Sequence, residues 1–528
     1  MQPDVSKRYC AVALTLIVAA AALRLTYLAW YCPLDLAPDE AYYWDWSRFL
    51  DWSYHSKGPL VAWLIRLSCE CFGDTMLAVR LPAVVCGAFL VVGLYVLTVQ
   101  VHQNDKLALV VVALALTLPI VAAGSTLMTI DAPFTCAWMW ALVFGYRAAI
   151  RQARWAWPVA GVFVLLGLLA KHTMVLWVPS FALFLLTTPT MRPHFMKPGF
   201  WIMVGIGALG GVPMLAWNAM HGWVTLRHTQ SHIGLDDDVL IYWLGPLHFL
   251  GTQFVVLLGF WFVVWARTMW HYRPTRETQP KLRFLWWMSA PTIVFFGFFA
   301  AKNGGGEANW PLGGYLSGMV LVAGWLAGEW RRPVPWYHHP CKGSTVAFAA
   351  LGLVLSLMMH EPVRLQPVFL RLAGPASEQY PMPIRRVDPT SRLRGWRFLA
   401  AEADGVRAEL KARDIEPVLA AERWTQAAEL GFYCEGHPAV FCLGGLLRDR
   451  DSQYDLWRPN PCADAADYHG RTFLLVGMDL HRLRPAFESL EPARAIRYRE
   501  NGCPIAEWTI VIAYGFRGWR NLDGTKTD

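Results

Sequence analysis

Long apolar runs recur along this chain and constrain its fold more than any other feature. They cover residues 11–30, 76–100, 107–124, 132–150, 200–217, 240–266, 284–301, 311–330 and 344–360. Each approaches or exceeds the roughly 18 to 20 apolar residues that cross a bilayer core. A further run between residues 155 and 188 is long enough for two crossings, interrupted by Lys171 and His172. Together the runs predict about eleven spans. Composition agrees: 16% of residues are charged and 55% hydrophobic, where a soluble domain carries about a quarter charged. The fold class is therefore an α-helical polytopic membrane protein. Lys7 and Arg8 before the first run would also suit a signal peptide. That run is too long for a typical signal core, however, and no small-residue cleavage site precedes Pro33, so it reads as the first span.

Lys and Arg in the short loops set the expected orientation. About sixteen fall on one side, among them Lys7, Arg8, Lys106, Arg147, Arg151, Arg273 and Lys342, and about six on the other, including Arg48, Lys57 and Lys171. The basic side is cytoplasmic by the positive-inside rule. The N-terminus is then cytoplasmic, and the first loop and everything after residue 360 lie outside. The net charge of +8 is accounted for by these topological charges and makes no case for nucleic acid.

Residues 1–360 read as the membrane domain, with residues 32–75 as its first outer loop. Residues 361–528 read as a separate extracytoplasmic domain, since charge rises there. Residues 395–413 predict a helix, and apolar runs at 418–421, 440–443, 473–476 and 508–514 predict strands of a small α/β domain. A proline-rich stretch, 375–389, links it to the last span. Of the 11 cysteines, Cys434, Cys442, Cys462 and Cys503 fall in this domain and Cys32, Cys69 and Cys71 in the first loop. None has zinc spacing, so they are candidates for disulfide staples in an oxidising compartment rather than metal ligands.

The chemistry-bearing residues gather on the outer face. The first loop reads "PDEAYYWDWSRFLDWSYHSKGPLVAW" from residue 38 to 63. Asp39 and Glu40 open a helix whose Tyr42, Tyr43, Trp44 and Trp46 suit an interfacial aromatic belt, lying flat with the aromatic side on the membrane. Beyond His55, Lys57 stands before a Gly-Pro that can start a second helix. An acidic start and a basic one on the same face suit a phosphate beside a group that loses a proton. Asp131 begins the fourth span at that face; a boundary charge is the plain alternative, yet carboxylates at membrane edges are functional by default. Lys171 and His172 tip a tight outer hairpin, where Lys171 can serve a phosphate as a point charge. The last outer loop, "AKNGGGEANWPLGGYL", offers Glu307, Asn309 and Trp310 after three glycines that let a ligand approach the backbone. The loop 221–238 adds Trp223, Arg227, His228, His232 and an Asp236–Asp238 run; its His and Asp could bind a divalent cation, but no ligand spacing stands out and a solvated face explains them better.

The first-loop motif, followed in order by "MTIDAPF", "GLLAKHTM" and "EANWPLGGYL", closely resembles bacterial members of the dolichyl-phosphate-mannose protein mannosyltransferase-like family. That family lies in the GT-C class of membrane glycosyltransferases, with the aminoarabinose and galacturonic acid transferases of lipid A. The resemblance covers the membrane part, and "QAAELGFY" and "SQYDLW" look like the periplasmic tails of this group. It implies inverting transfer of a sugar from a polyprenyl-phosphate carrier to a glycolipid, glycan or protein acceptor on the periplasmic face of a bacterial inner membrane. In that light Asp39 looks like the catalytic carboxylate, with Glu40 its substitute and Asp131 the second acid. Lys57 and Lys171 would neutralise the carrier phosphate. Tyr42, Tyr43, His55, Glu307, Asn309 and Trp310 would line the donor or acceptor loops. No cofactor is certain, and a divalent metal ion stays open because the carboxylates could serve as bases or as ligands. The Lys57 context, "SKGPLVAW", departs from the aminoarabinose transferase, which leaves sugar and acceptor unassigned. A transporter or flippase of lipid-linked sugars is the alternative, but transporters keep charges near the midplane and often show inverted repeats, which this sequence lacks.

Overall fold

The computed structural model describes residues 3–232, 241–330, 340–375, 377, 381–447, 450–478 and 483–519. It divides into two compact units, Met1–Trp30 with Asp51–Leu357, and Tyr31–Leu50 with Met358–Asp528. The first outer loop is therefore not one piece: its first half is built into the second unit.

In the first unit every apolar run is helical. Among the described residues, five helices are both long and apolar enough to cross a membrane: Val5–Tyr31, Met76–His102, Pro198–Met220, Pro280–Asn303 and Cys341–His360. Gly245–Val256 and Phe260–His271 would add a sixth, but they meet at 113°. Residues 240–266, expected as a single span, are thus broken, because Leu258 and Gly259 take φ values of 54° and 65° that no helix continues through. The other runs give helices that are shorter or less apolar. Asp105–Thr117 stops because Leu118, preceding Pro119, is extended. Asp131–Ala149 and Leu312–Trp330 each have 19 residues, and Ala156–Ala170 has 15. The shared core runs from Leu94 and Trp138 to Trp177, Phe181 and Phe284. Rings pack edge to face, as Phe184 and Phe284 do at 5.4 Å, which suits helices that associate in lipid by packing rather than by leaving water.

The second unit holds a mixed sheet. Its strands are β1 (Val418–Ala421), β2 (Val440–Cys442), β3 (Phe473–Val476), β4 (Phe487–Leu490), β5 (Arg494–Glu500) and β6 (Cys503–Phe516). The order is β2-β1-β3-β6-β4, with β5 also on β6. β1 runs parallel to β2 and β3, and β6 runs antiparallel to β3, β4 and β5. The parallel strands β1 and β3 are buried at every residue, as continuous apolar runs should be. β4 and β5, "FESL" and "RAIRYRE", expose residues in between, which hid them from a search for apolar runs.

The helix Pro38–Arg48 belongs to this sheet unit. Tyr42, Tyr43, Trp44 and Trp46 are buried, so the expected aromatic belt lying flat on the membrane is corrected. Tyr42 packs on Trp424 at 4.8 Å and Trp44 on Phe432 at 4.9 Å, both from the helix Trp424–Tyr433. Tyr42 Oη accepts the backbone N–H of Gln453 at 2.5 Å, and Tyr454 donates to Asp45 at 2.7 Å. Asp35 accepts from the N–H of Trp396 at 2.8 Å. The two motifs "QAAELGFY" and "SQYDLW" are thus the seat of the first-loop helix.

All 11 cysteines are free thiols, so the expected staples are absent. Their side chains find other partners: Cys434 points to Ala400 O at 3.8 Å and Cys442 to Glu422 O at 3.6 Å. Burial pushes the Cys434 and Cys462 thiols up to about 12, which leaves them unreactive.

Asp45 carries a testable pH signature. Burial raises its carboxyl above the usual range, with Arg48 and the Tyr454 hydroxyl opposing. The folded carboxyl then binds its proton at higher pH than the unfolded one, so protonation favours the fold. That contribution is present below the ordinary carboxylate value and is lost as pH rises through the raised folded one. Asp45→Asn keeps an acceptor for Tyr454 without a charge. Thermal unfolding against pH should show the variant gaining on wild type at neutral pH and the gap closing on acidification; a gap constant with pH would contradict the assignment.

Candidate active site

In the membrane unit the site starts from two chain ends of helices. Asp131 opens Asp131–Ala149, where a carboxylate suits the positive end of the helix. Lys171 ends Ala156–Ala170 in an extended conformation with φ −148°, its N–H returning to Gly167 O. The Lys171 ammonium donates to Asp131 Oδ1 at 2.7 Å, and both residues are buried. Asn309 donates to Asp131 Oδ2 at 2.5 Å. The ammonium also sits 5.4 Å from the Phe134 ring. Three residues expected from separate loops therefore meet, Asp131 and Lys171 as a buried ion pair and Asn309 half-buried beside them.

Beside it lies a cavity of about 270 Å³. Its polar lining is Ser56, Lys57, Lys171, His172 and Thr173; Phe295, Phe296, Phe299 and Trp310 form an aromatic wall. His172 Nε2 and Thr173 Oγ1 are buried and have no hydrogen-bond partner among the described residues. Lys57 is held by its own turn, since its carbonyl accepts from Tyr54 N at 3.2 Å and Ser53 Oγ at 3.3 Å. Asp51 anchors that turn by accepting from Trp217 Nε1 at 2.6 Å. His55 is buried in it.

Gly58 lets this turn reach the hairpin. A Cβ there would stand 2.1 Å from Leu169 O, next to Lys171. Gly58→Ala must displace backbone and is expected to cost about 1–3 kcal/mol of stability. The check is thermal unfolding, whose midpoint should fall. In the loop before Asn309, Gly304, Gly305 and Gly306 take φ values of 77°, 145° and 68°, which only glycine adopts without strain. Glu307 is exposed, and its carbonyl accepts from Trp310 N.

The remaining sequence candidates sit in the second unit. Asp39 is exposed in the first turn of Pro38–Arg48, with the Tyr43 hydroxyl 3.5 Å from its Oδ1. Glu40 is fully buried and accepts the N–H of Ala37 at 2.8 Å. Tyr42 and Tyr43 are buried ring contacts. Among the described residues no group of three or more His, Cys, Asp and Glu is placed to hold a metal ion. The Asp236–Asp238 run and the side chains of His228 and His232 lie outside the described residues. The sequence reading did not assign His172 or Thr173 to a site; their adjacency to Lys171 in "AKHTM" was the available signal.

Solved structures share this fold along most of the chain. ArnT from Cupriavidus metallidurans bound to undecaprenyl phosphate matches over 94% of this chain and 97% of that one, with a TM-score of 0.58 at 15% identity. Its apo state matches over 95% and 98%, with a TM-score of 0.52 at 17% identity. Residues 56–217 match the family described as Dolichyl-phosphate-mannose-protein mannosyltransferase. The lipid A galacturonosyltransferase RgtD of Rhizobium johnstonii is 30% identical over 304 residues, which span 56% of this chain and 62% of that protein. The chain is thus similar to that family over residues 56–217 and to RgtD over 304 residues, and it shares the fold of ArnT.

Proposed function

We propose that this protein is an inverting glycosyltransferase that moves a sugar from a polyprenyl-phosphate carrier to lipid A. The membrane is the bacterial inner membrane, with the N-terminus cytoplasmic and residues 361–528 periplasmic. The cavity carries this reading: a lining that includes Lys57 and the aromatic residues Phe295, Phe296, Phe299 and Trp310 matches a phosphate attached to an isoprenoid chain. The similarity to RgtD, named for galacturonic acid, supports a hexuronic acid as the transferred sugar.

The acceptor hydroxyl oxygen attacks the anomeric carbon, and the bond from that carbon to the carrier phosphate breaks. The electron pair leaves on the phosphate oxygen, where Lys57 stabilises it. The hydroxyl proton passes to Asp39 as general base. A single displacement inverts the anomeric centre. Asp39 suits the role better than Glu40, which is buried and occupied by the Ala37 N–H. Asp131 holds Lys171 and Asn309 in place, fixing the hairpin that borders the cavity.

The test is purified protein in proteoliposomes with radiolabelled undecaprenyl-phosphate galacturonic acid and lipid A. Label should pass to lipid A with the enzyme present. Transport of labelled carrier across the bilayer with no transfer would favour the flippase reading instead.

A further inference from the structure

We propose that His172 and Thr173, rather than Lys171, complete the phosphate cradle that Lys57 begins. The inference rests on the carrier reading above and assigns the neutral half of its binding site. Lys171 has its ammonium 2.7 Å from Asp131 Oδ1 and over the Phe134 ring. A phosphate that drew it away would leave Asp131 buried without its cation. The next two residues differ. His172 and Thr173 line the same cavity as Lys57, and their Nε2 and Oγ1 atoms are buried with no hydrogen-bond partner among the described residues. Buried polar atoms in native proteins are almost always paired, and two orphans on adjacent residues that line one cavity point to a ligand that supplies the acceptors. Both side chains can donate: an imidazole through one ring N–H, a threonine through its hydroxyl. A phosphate oxygen accepts from both. Neutral donors also let the site hold the phosphodiester before transfer and the more highly charged phosphate monoester after it, without a further buried charge. The aromatic wall beside them favours a phosphate carried on an isoprenoid chain over free phosphate.

The experiment measures binding of undecaprenyl phosphate and of undecaprenol to the full chain in nanodiscs, with thermal unfolding as a check on folding. His172→Leu and Thr173→Val should each weaken undecaprenyl phosphate about tenfold, the scale of one lost hydrogen bond to a charged group. Undecaprenol affinity should not change. His172→Asn, which restores an N–H, should recover part of the loss. Inorganic phosphate should compete poorly; equal competition would overturn the lipid-borne assignment. Unchanged undecaprenyl phosphate binding in both variants would overturn the inference, and so would equal loss of undecaprenol, because the residues would then act only through packing. Failure of the wild type to bind undecaprenyl phosphate at all would instead remove the carrier reading itself, which separates the two failures.

Discussion

Asp39→Asn is expected to lower transfer by about 10²–10⁴-fold, the usual worth of a positioned general base. The change keeps the side chain's size and an oxygen acceptor for Tyr43, and the residue is exposed. Folding should therefore be unaffected, and the loss should fall on kcat rather than on donor KM, since only proton removal in the transition state is touched. Glu40→Ala is the control. It strips the acceptor from the Ala37 N–H at a buried helix start, which should cost about 1 kcal/mol of stability while folded protein keeps its turnover. Kinetics and thermal unfolding on both variants decide the assignment. Full activity in Asp39→Asn with activity lost in Glu40→Ala would move the base to Glu40.

The second large effect is expected from the buried pair. Asp131→Ala leaves the Lys171 ammonium buried without its partner 2.7 Å away, a change that costs about 3–5 kcal/mol in comparable sites. The Asn309 amide loses its acceptor as well. The variant should unfold many degrees below wild type and be inactive. Lys171→Met placed on top of it removes the stranded charge and keeps contact with Phe134. The double variant should recover much of the lost stability, since a paired charge and a packed apolar replacement are often near neutral. Activity should stay low, because the hairpin bordering the cavity is no longer tied to Asp131 and Asn309. A double variant as unstable as the single one would show that Asp131 acts through something other than Lys171.

Much of this was legible in residue order. Apolar runs gave the positions of the membrane helices, because a bilayer forces each crossing to satisfy its own backbone. The strands at 418–421 and 473–476 were equally plain, being buried on both faces. What periodicity could not reveal was how runs are interrupted. The bend at Leu258 and Gly259 lies inside an apolar stretch with no proline, and the edge strands β4 and β5 carry charges at exposed positions.

The site divides in the same way. Sequence by itself selected Asp131, Lys171 and Asn309 as polar residues at the ends of apolar runs, and Lys57 as a cation before a helix start. It did so because ionisable groups are expensive near a bilayer and stand out wherever they occur. Only the tertiary structure decided their partners. Lys171 pairs with Asp131 across 40 residues, a contact set by the packing of helix ends that no local pattern encodes. The fold also decided that Tyr42 meets Trp424 and Tyr454, and Trp44 meets Phe432, rather than lipid. An aromatic stripe reads alike whether membrane or protein covers it, since either removes the same surface from water. Which one does so depends on segments 409 and 411 residues away.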